Sequence, residues 1–231
     1  MALSLSVCCL SGQATKGDAG ASAGKSAVIV RSINFDPVKI GGQQNPWIRT
    51  QVELNANFNP ESLAVPDAAA TPKKAANKQW VDKIKVTLTL VFKQIGATVA
   101  SEFAYYRSSA TVLTMEVNSS RSVYFYLPGD IVKRDRLKMQ PDFYYVQLEV
   151  GGTELTLFNE AGRLSPDMMP ALHKMLHLKQ AYDRARSEAD RAVSANNGML
   201  RPQFLVPFSI FDSVPQGSPS PEFIREDASS R

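Results

Sequence analysis

The chain has 231 residues, 44% of them hydrophobic and 21% charged, which is enough apolar material for one sizeable core. Its 26 Lys and Arg against 22 Asp and Glu leave a formal charge of +4, too dilute over this length for a dedicated nucleic-acid binder, which concentrates positive charge on one face. No stretch reaches the ~18 continuous apolar residues of an ordinary transmembrane helix, and the two cysteines, Cys8 and Cys9, leave no disulfide framework or cysteine zinc site from residue 10 onward.

Residues 1–25 read as a flexible N-terminal segment or a weak export signal. MALSLSVCCLSGQA has a short apolar run and a small-residue exit, without the positive charge that precedes such a run in export signals. Adjacent cysteines such as Cys8 and Cys9 rarely pair with each other because the geometry is strained. Leu5-Ser6-Val7-Cys8 approaches a bacterial lipoprotein box, with Val7 bulky where a small residue belongs. Next, AGASAGKS matches the loose spelling of a phosphate-binding loop ending in Gly24-Lys25-Ser26. Such a loop needs a strand before it and a helix after it, so that free N–H groups at the helix start face the phosphates. Here a polar, small-residue tether comes before and the strand-like AVIVRSINF comes after, which argues against a nucleotide site.

Strands then dominate. Residues 27–35 are rich in β-branched side chains. From Trp47 to Phe58, Ile48, Thr50, Val52, Leu54, Ala56 and Phe58 share one side, and Arg49, Gln51, Glu53, Asn55 and Asn57 the other. Residues 59–80, rich in Ala, Pro and Lys, form a long loop in which Thr71-Pro72 can cap a short helix. Between Asp82 and Lys93 the alternation returns, with Ile84, Val86, Leu88, Leu90 and Phe92 on one face, broken only by Val91. Further strands are expected at 98–107, 110–117 and 121–127, separated by turn signals at Gly96, Ser108-Ser109, Asn118-Ser119-Ser120 and Leu127-Pro128-Gly129.

Six of the seven tyrosines fall in close pairs: Tyr105-Tyr106, Tyr124-Tyr126 and Tyr144-Tyr145. If their strands are neighbours, Tyr105, Tyr106, Tyr124, Tyr126 and Tyr145 build an aromatic platform. Exposed, it can stack on sugar rings or anchor a partner; covered by a helix, it is core. Residues 133–138, KRDRLK, place Lys133, Arg134 and Arg136 in a basic knot suited to acidic partners or to plain solvation. The glycine-aromatic signature of an RNA-recognition strand is missing nearby.

DFYYVQLEVGGTELTLF, residues 142–158, reads as a hairpin turning at Gly151-Gly152. That register sets Val150 against Thr153, Leu148 against Leu155 and Val146 against Leu157, and it faces Glu149 with Glu154, a small repulsion. A single long helix is expected over 168–195, capped by Asp167 and stopped by Asn196-Asn197-Gly198. Its stripe of Met168, Leu172, Met175, Leu176, Tyr182, Ala189 and Val193 suits packing on a sheet. His173 and His177, the two histidines of the chain, have the i, i+4 spacing of a zinc helix. Lys174 stands where the metalloprotease pattern needs a glutamate base, so an exposed helix face is the reading adopted. A last strand is expected at 203–211, and residues 213–231 form a disordered tail.

No G-x-S-x-G elbow appears, and although any two strands can bring Asp and Glu together, nothing in the sequence singles out a carboxylate pair, so neither an enzyme nor a cofactor is expected. The segments INFDPVKIGGQQNPWIRTQVELNANFNPES, DKIKVTLTLVFK and YVQLEV, followed by a late helix, resemble the immunoglobulin-like proteins encoded in pilus gene clusters of mucus-dwelling Verrucomicrobia. The resemblance covers residues 27–212. It implies an exported, cell-surface protein without enzyme activity. Residues 2–10 are too few for the apolar helix by which some pilins polymerise, which implies an accessory role rather than a shaft subunit.

The expected fold is mainly β, an immunoglobulin-like antiparallel β-sandwich of eight or nine strands spanning 26–212, with the helix inserted before the last strand. The expected function is a non-enzymatic surface or pilus-associated interaction or structural protein. Its partners would be envelope or pilus proteins, or a host glycan or protein, with no nucleic acid, and with membrane association only through the N-terminus. The alternatives are a carbohydrate-binding module using the aromatic face and a carboxylate-dependent glycosidase. A cytoplasmic location is the alternative to export.

Overall fold

The alternating segments pair as their periodicity demands. A computed structural model of the chain describes residues 26–39, 44–60, 77–94, 98, 102–206 and 223–224. Its long strands are β1 (Val28–Val38), β2 (Trp47–Ala56), β3 (Trp80–Lys93), β4 (Phe103–Glu116), β5 (Ser120–Leu127) and β6 (Phe143–Val150). Three two-residue strands follow: β7 (Thr153–Glu154), β8 (Arg201–Pro202) and β9 (Phe223–Ile224). All pairings are antiparallel, in two sheets ordered β1-β2-β5-β8 and β7-β6-β3-β4-β9.

This is a β-sandwich. Strands β1, β2 and β5 take the places of strands A, B and E of an immunoglobulin-type sandwich, and β6 and β3 those of F and C. The fourth strand lies beside β3 rather than beside β5. Ile48, Val52 and Leu54 of the first sheet meet Ile84, Leu88 and Leu90 of the second, all fully buried. Each such aliphatic contributes roughly 1.5–3 kcal/mol by leaving water. The period of two breaks once in β3: Lys83 takes a left-handed φ of 52°, and both Val81 and Ile84 face the core.

Several sequence expectations change. Strands 98–107 and 110–117 are one strand from Phe103 onward, because Ser108 and Ser109 pair straight through with Leu88 and Thr87. A ladder already aligned on β3 outweighs a weak local turn preference. Asn118, with φ 63°, does turn the chain into β5. Leu127-Pro128-Gly129 leads into a short helix, α1 (Gly129–Arg134), rather than a bare turn. Gly129 is required there by space, since a Cβ would stand 2.3 Å from the Asn45 carbonyl oxygen.

The hairpin turns at Gly151 (φ 58°) and Gly152 (φ 88°) with Val150 opposite Thr153 and Glu149 opposite Glu154, as read. It is shorter than expected, ending after Glu154 with one further bond from the Leu155 N–H to the Leu148 carbonyl at 2.8 Å.

The expected 168–195 helix is broken. Pro166–Ala171 is a 3-10 turn preceded by Ser165, so Asp167 is not a cap. Leu172 and His173 are extended: Leu172 bridges to Tyr145, and the His173 N–H donates to the Tyr144 carbonyl at 2.9 Å. Two prolines and an open sheet edge offering backbone partners win over helical propensity there. Only α2 (Lys179–Ala192) is α-helical, extended by a 3-10 turn to Asn196, and Gly198 at φ 75° ends it as expected. Residues 203–205 are a 3-10 turn rather than the start of a strand. Phe223–Ile224 within the expected tail pairs with Thr111–Val112 at the edge of β4. The phosphate-loop spelling through Lys25, Gly96, Thr71-Pro72, residues 207–211 and the rest of the tail lie outside the described residues.

Candidate functional site

The tyrosines do not share a face. Tyr105 and Tyr145 point outward from the second sheet and lie beneath α2, both buried. Tyr145 packs edge-on against Tyr182 of α2, with ring centroids 5.4 Å apart. Its hydroxyl accepts from Arg107 Nη2 at 2.8 Å, while Arg107 also donates to Thr89 Oγ1 at 3.0 Å and Asp190 Oδ1 at 2.6 Å. Arg107 thus ties helix to sheet. Burial, followed by Glu188 and Tyr145, pushes the Tyr105 phenol up to about 12.

Tyr106 points the other way, into the space between the sheets, edge-on to Phe92 at 5.8 Å. Its hydroxyl donates to Asp135, which also accepts from Arg134 at 2.6 and 2.7 Å. Hydrogen bonding from Arg134, then from Tyr106, holds the Asp135 carboxyl below the usual range against the opposing effect of burial. Burial, reinforced by Asp135, drives the Tyr106 phenol upward.

Tyr124 and Tyr126 lie on the outer face of the first sheet, covered by Trp47, Val38 and Val206. The Arg49 guanidinium sits 5.6 Å over the Tyr124 ring and pairs with Asp36 at 3.2 Å. The five tyrosines are therefore buried in three separate places, and no aromatic platform is presented. Pairing in sequence separates Tyr105 from Tyr106 by the pleat, and β5 belongs to the opposite sheet from β4 and β6.

Lys133 and Arg134 end α1 and Arg136 follows with φ 53°, all three exposed. Arg134 is committed to Asp135 and also approaches Met199 Sδ at 3.4 Å. The histidines do not stand on an exposed helix. His173 caps a 3-10 turn, its Nδ1 accepting from the Met175 N–H at 3.3 Å, and its ring packs edge-on to Phe143 and Tyr144 at 5.6 and 5.7 Å. Burial first, then Lys174 and His177, lowers its pKa below the ordinary 6.5. A ring nitrogen of His177 lies 3.3 Å from the Leu172 carbonyl oxygen. Both rings serve the turn that starts α2. Among the described residues no three His, Cys, Asp or Glu side chains gather as a metal site.

What the sequence reading missed is an apolar cleft of about 360 Å3 on the outer face of the second sheet. Val91, Phe103, Tyr105 and Phe143 form its floor; Met175, Leu176, Ala181 and Ala185 form the covering wall. The cleft exists because α2 lays small alanines over the aromatic floor at its start, whereas Tyr182 and Ala189 are buried against the sheet. At this end Met175 is 59% and Leu178 75% exposed. The signal was present in the sequence: Val91 breaks the alternation of β3, and Phe103-Tyr105 and Phe143-Tyr145 repeat aromatics at i, i+2. Apolar residues on both faces of strand ends mark a sheet covered on its second face.

Fold and cleft together define an immunoglobulin-like β-sandwich that carries a helical cover and an open apolar groove. No protein-family model and no curated protein matches the sequence. Among solved structures, a crystal structure from Akkermansia muciniphila is similar, at 11% identity and a TM-score of 0.39, covering 68% of this chain and 90% of that one. No helix among the described residues is long and apolar enough to cross a membrane.

Proposed function

We propose that this protein is a non-enzymatic interaction protein of the cell surface, whose β-sandwich docks an apolar segment of an envelope or pilus partner in the cleft beside α2. The observation that carries this reading is the cleft itself: an aromatic floor, a small-residue wall on which Met175 is held out toward solvent, and the exposed Leu178 three residues further along the chain. A concave apolar site flanked by flexible methionine is suited to receiving another chain's side chains. The side chains with the richest chemistry have structural duties instead. Tyr106 and Tyr145 are bound to Asp135 and Arg107, and the two histidines cap and pack the turn before α2. The cell-surface setting rests on the sequence resemblance to pilus-cluster proteins.

The test is a photo-crosslinking amino acid at position 178 in cells that make the protein, with the crosslinked peptide identified by mass spectrometry. The expected result is one envelope or pilus protein, captured through one apolar segment and lost when Met175→Asp is added. An identical crosslink pattern with and without that substitution, or a cytoplasmic enzyme as the captured species, would overturn the reading.

A further inference from the structure

We infer that the segment received by this cleft carries a carboxylate next to its apolar anchor, so that Arg184 and Lys93 read charge while the aromatic floor reads shape; this rests on the docking reading above. Three observations converge. First, the arginines of α2 differ in their commitments. Arg186 holds Glu154 through two bonds at 3.0 and 3.1 Å, and Arg191 pairs with Glu188 at 3.5 Å. Arg184, exposed on the cleft wall, makes no ion pair among the described residues. Second, Lys93 Nζ sits 5.2 Å from the Phe143 ring centroid and 5.7 Å from that of Phe103, over two rings of the floor, again with no ion pair among the described residues. Third, acids around the cleft are engaged. Asp183 pairs with Lys179 at 2.6 Å, and Asp142 pairs with Lys138 at 3.2 Å and accepts the Lys93 N–H at 2.9 Å. Glu102 accepts the Thr98 N–H at 2.9 Å, also at the cleft.

An apolar groove flanked by two cations that make no ion pair among the described residues is complementary to an apolar segment with one acid. A guanidinium can take a carboxylate through two parallel bonds, and an ammonium over aromatic rings adds a second point of attraction for the same anion. The exposed side chain of Met175 carries the apolar surface of the cleft wall out toward solvent, which favours a chain segment over a compact small molecule.

The test uses two fluorescent probes and two peptides on the full chain. The probes are 8-anilinonaphthalene-1-sulfonate, an aromatic anion, and N-phenyl-1-naphthylamine, the same rings without the charge. The peptides are acetyl-Trp-Leu-Asp-Gly amide and its Asn counterpart. The expected results are that the anion binds about tenfold tighter than the neutral probe at low salt, that Arg184→Gln removes most of that difference, and that the Asp peptide displaces the anion better than the Asn peptide. Lys93→Gln should give a smaller loss. Ala185→Phe and Ala181→Phe, which fill the cleft, should abolish binding of both probes while circular dichroism stays native. Equal binding of both probes in wild type and Arg184→Gln, lost on filling, would overturn charge selection and leave apolar docking standing. Arg184-dependent anion binding that neither peptide displaces would overturn the peptide occupant. If neither probe binds, or filling changes nothing, both this inference and the docking reading fall.

Discussion

Replacing Arg107 with Met tests how α2 is held to the sheet. The guanidinium donates to Thr89 and Tyr145, both fully buried, and to the half-exposed Asp190. Methionine keeps the aliphatic stem and removes every donor. Two buried hydroxyl oxygens then lack their partner, at roughly 1–3 kcal/mol each. The lost Asp190 pair adds well under 1 kcal/mol, because that carboxylate is 56% exposed and screened. Removing a largely desolvated charge returns part of this, so a net loss of about 3 kcal/mol is expected. Urea unfolding at constant slope reads the change, with Asp190→Asn as the control at no more than ~1 kcal/mol. Hydrogen exchange should show the amides of α2 opening first, since Arg107 bridges the two layers. An Arg107→Met variant within 1 kcal/mol of wild type, with α2 protection unchanged, would refute the claim that this hub anchors the helix.

Three further outcomes follow from the geometry. Gly129→Ala should lose about 1–3 kcal/mol in thermal or urea unfolding, because its Cβ meets backbone at Asn45 and neither chain can yield cheaply; an unchanged midpoint would mean that the α1–β2 approach is looser than described. The Tyr105, Tyr126 and Tyr182 phenols are raised to about 12, each chiefly by burial. Their folded values exceed the ordinary 10.0, so their stabilisation is intact below pH 10 and is lost as pH climbs toward 12. Tyrosinate absorbance should therefore rise late and together with loss of the native dichroism, and seven phenols titrating near 10 in a folded chain would contradict it. His173 is depressed below 6.5, so the neutral ring is the native form. The stability it lends is present above pH 6.5 and is lost as pH falls through the folded value. Ring-proton NMR, assigned with His177→Gln, should show His173 titrating below 6.5, and a midpoint at or above 6.5 would show that its ring is not packed on Phe143 and Tyr144.

Much of the sandwich was legible because strand alternation is local. The residues of β2 and β3 declare their buried faces by parity, and Gly151-Gly152 and Asn118 declare turns by the φ they tolerate. The even–odd code also contained a trace of the cleft, in Val91 and the i, i+2 aromatics of β4 and β6, but it could not say what covers that second face. The helical reading of 168–195 failed where a nearby sheet edge supplied backbone partners to Leu172 and His173. Similarly, the repulsion expected between Glu149 and Glu154 is relieved from outside the hairpin by Arg186 of α2, with Gln147 of β6 adding a bond to Glu154 at 3.0 Å.

Sequence alone therefore determined the long strands of the two sheets, the inward faces of β2 and β3, and the turns at Asn118 and Gly151-Gly152, since these depend on neighbours within a few residues. Tertiary structure alone decided that the tyrosines part company, that α2 begins only at Lys179, and that Arg184 and Lys93 flank an open groove. Those outcomes depend on which strands become neighbours and on which helix covers which face. They are contacts between residues far apart in the chain, and no local pattern encodes them.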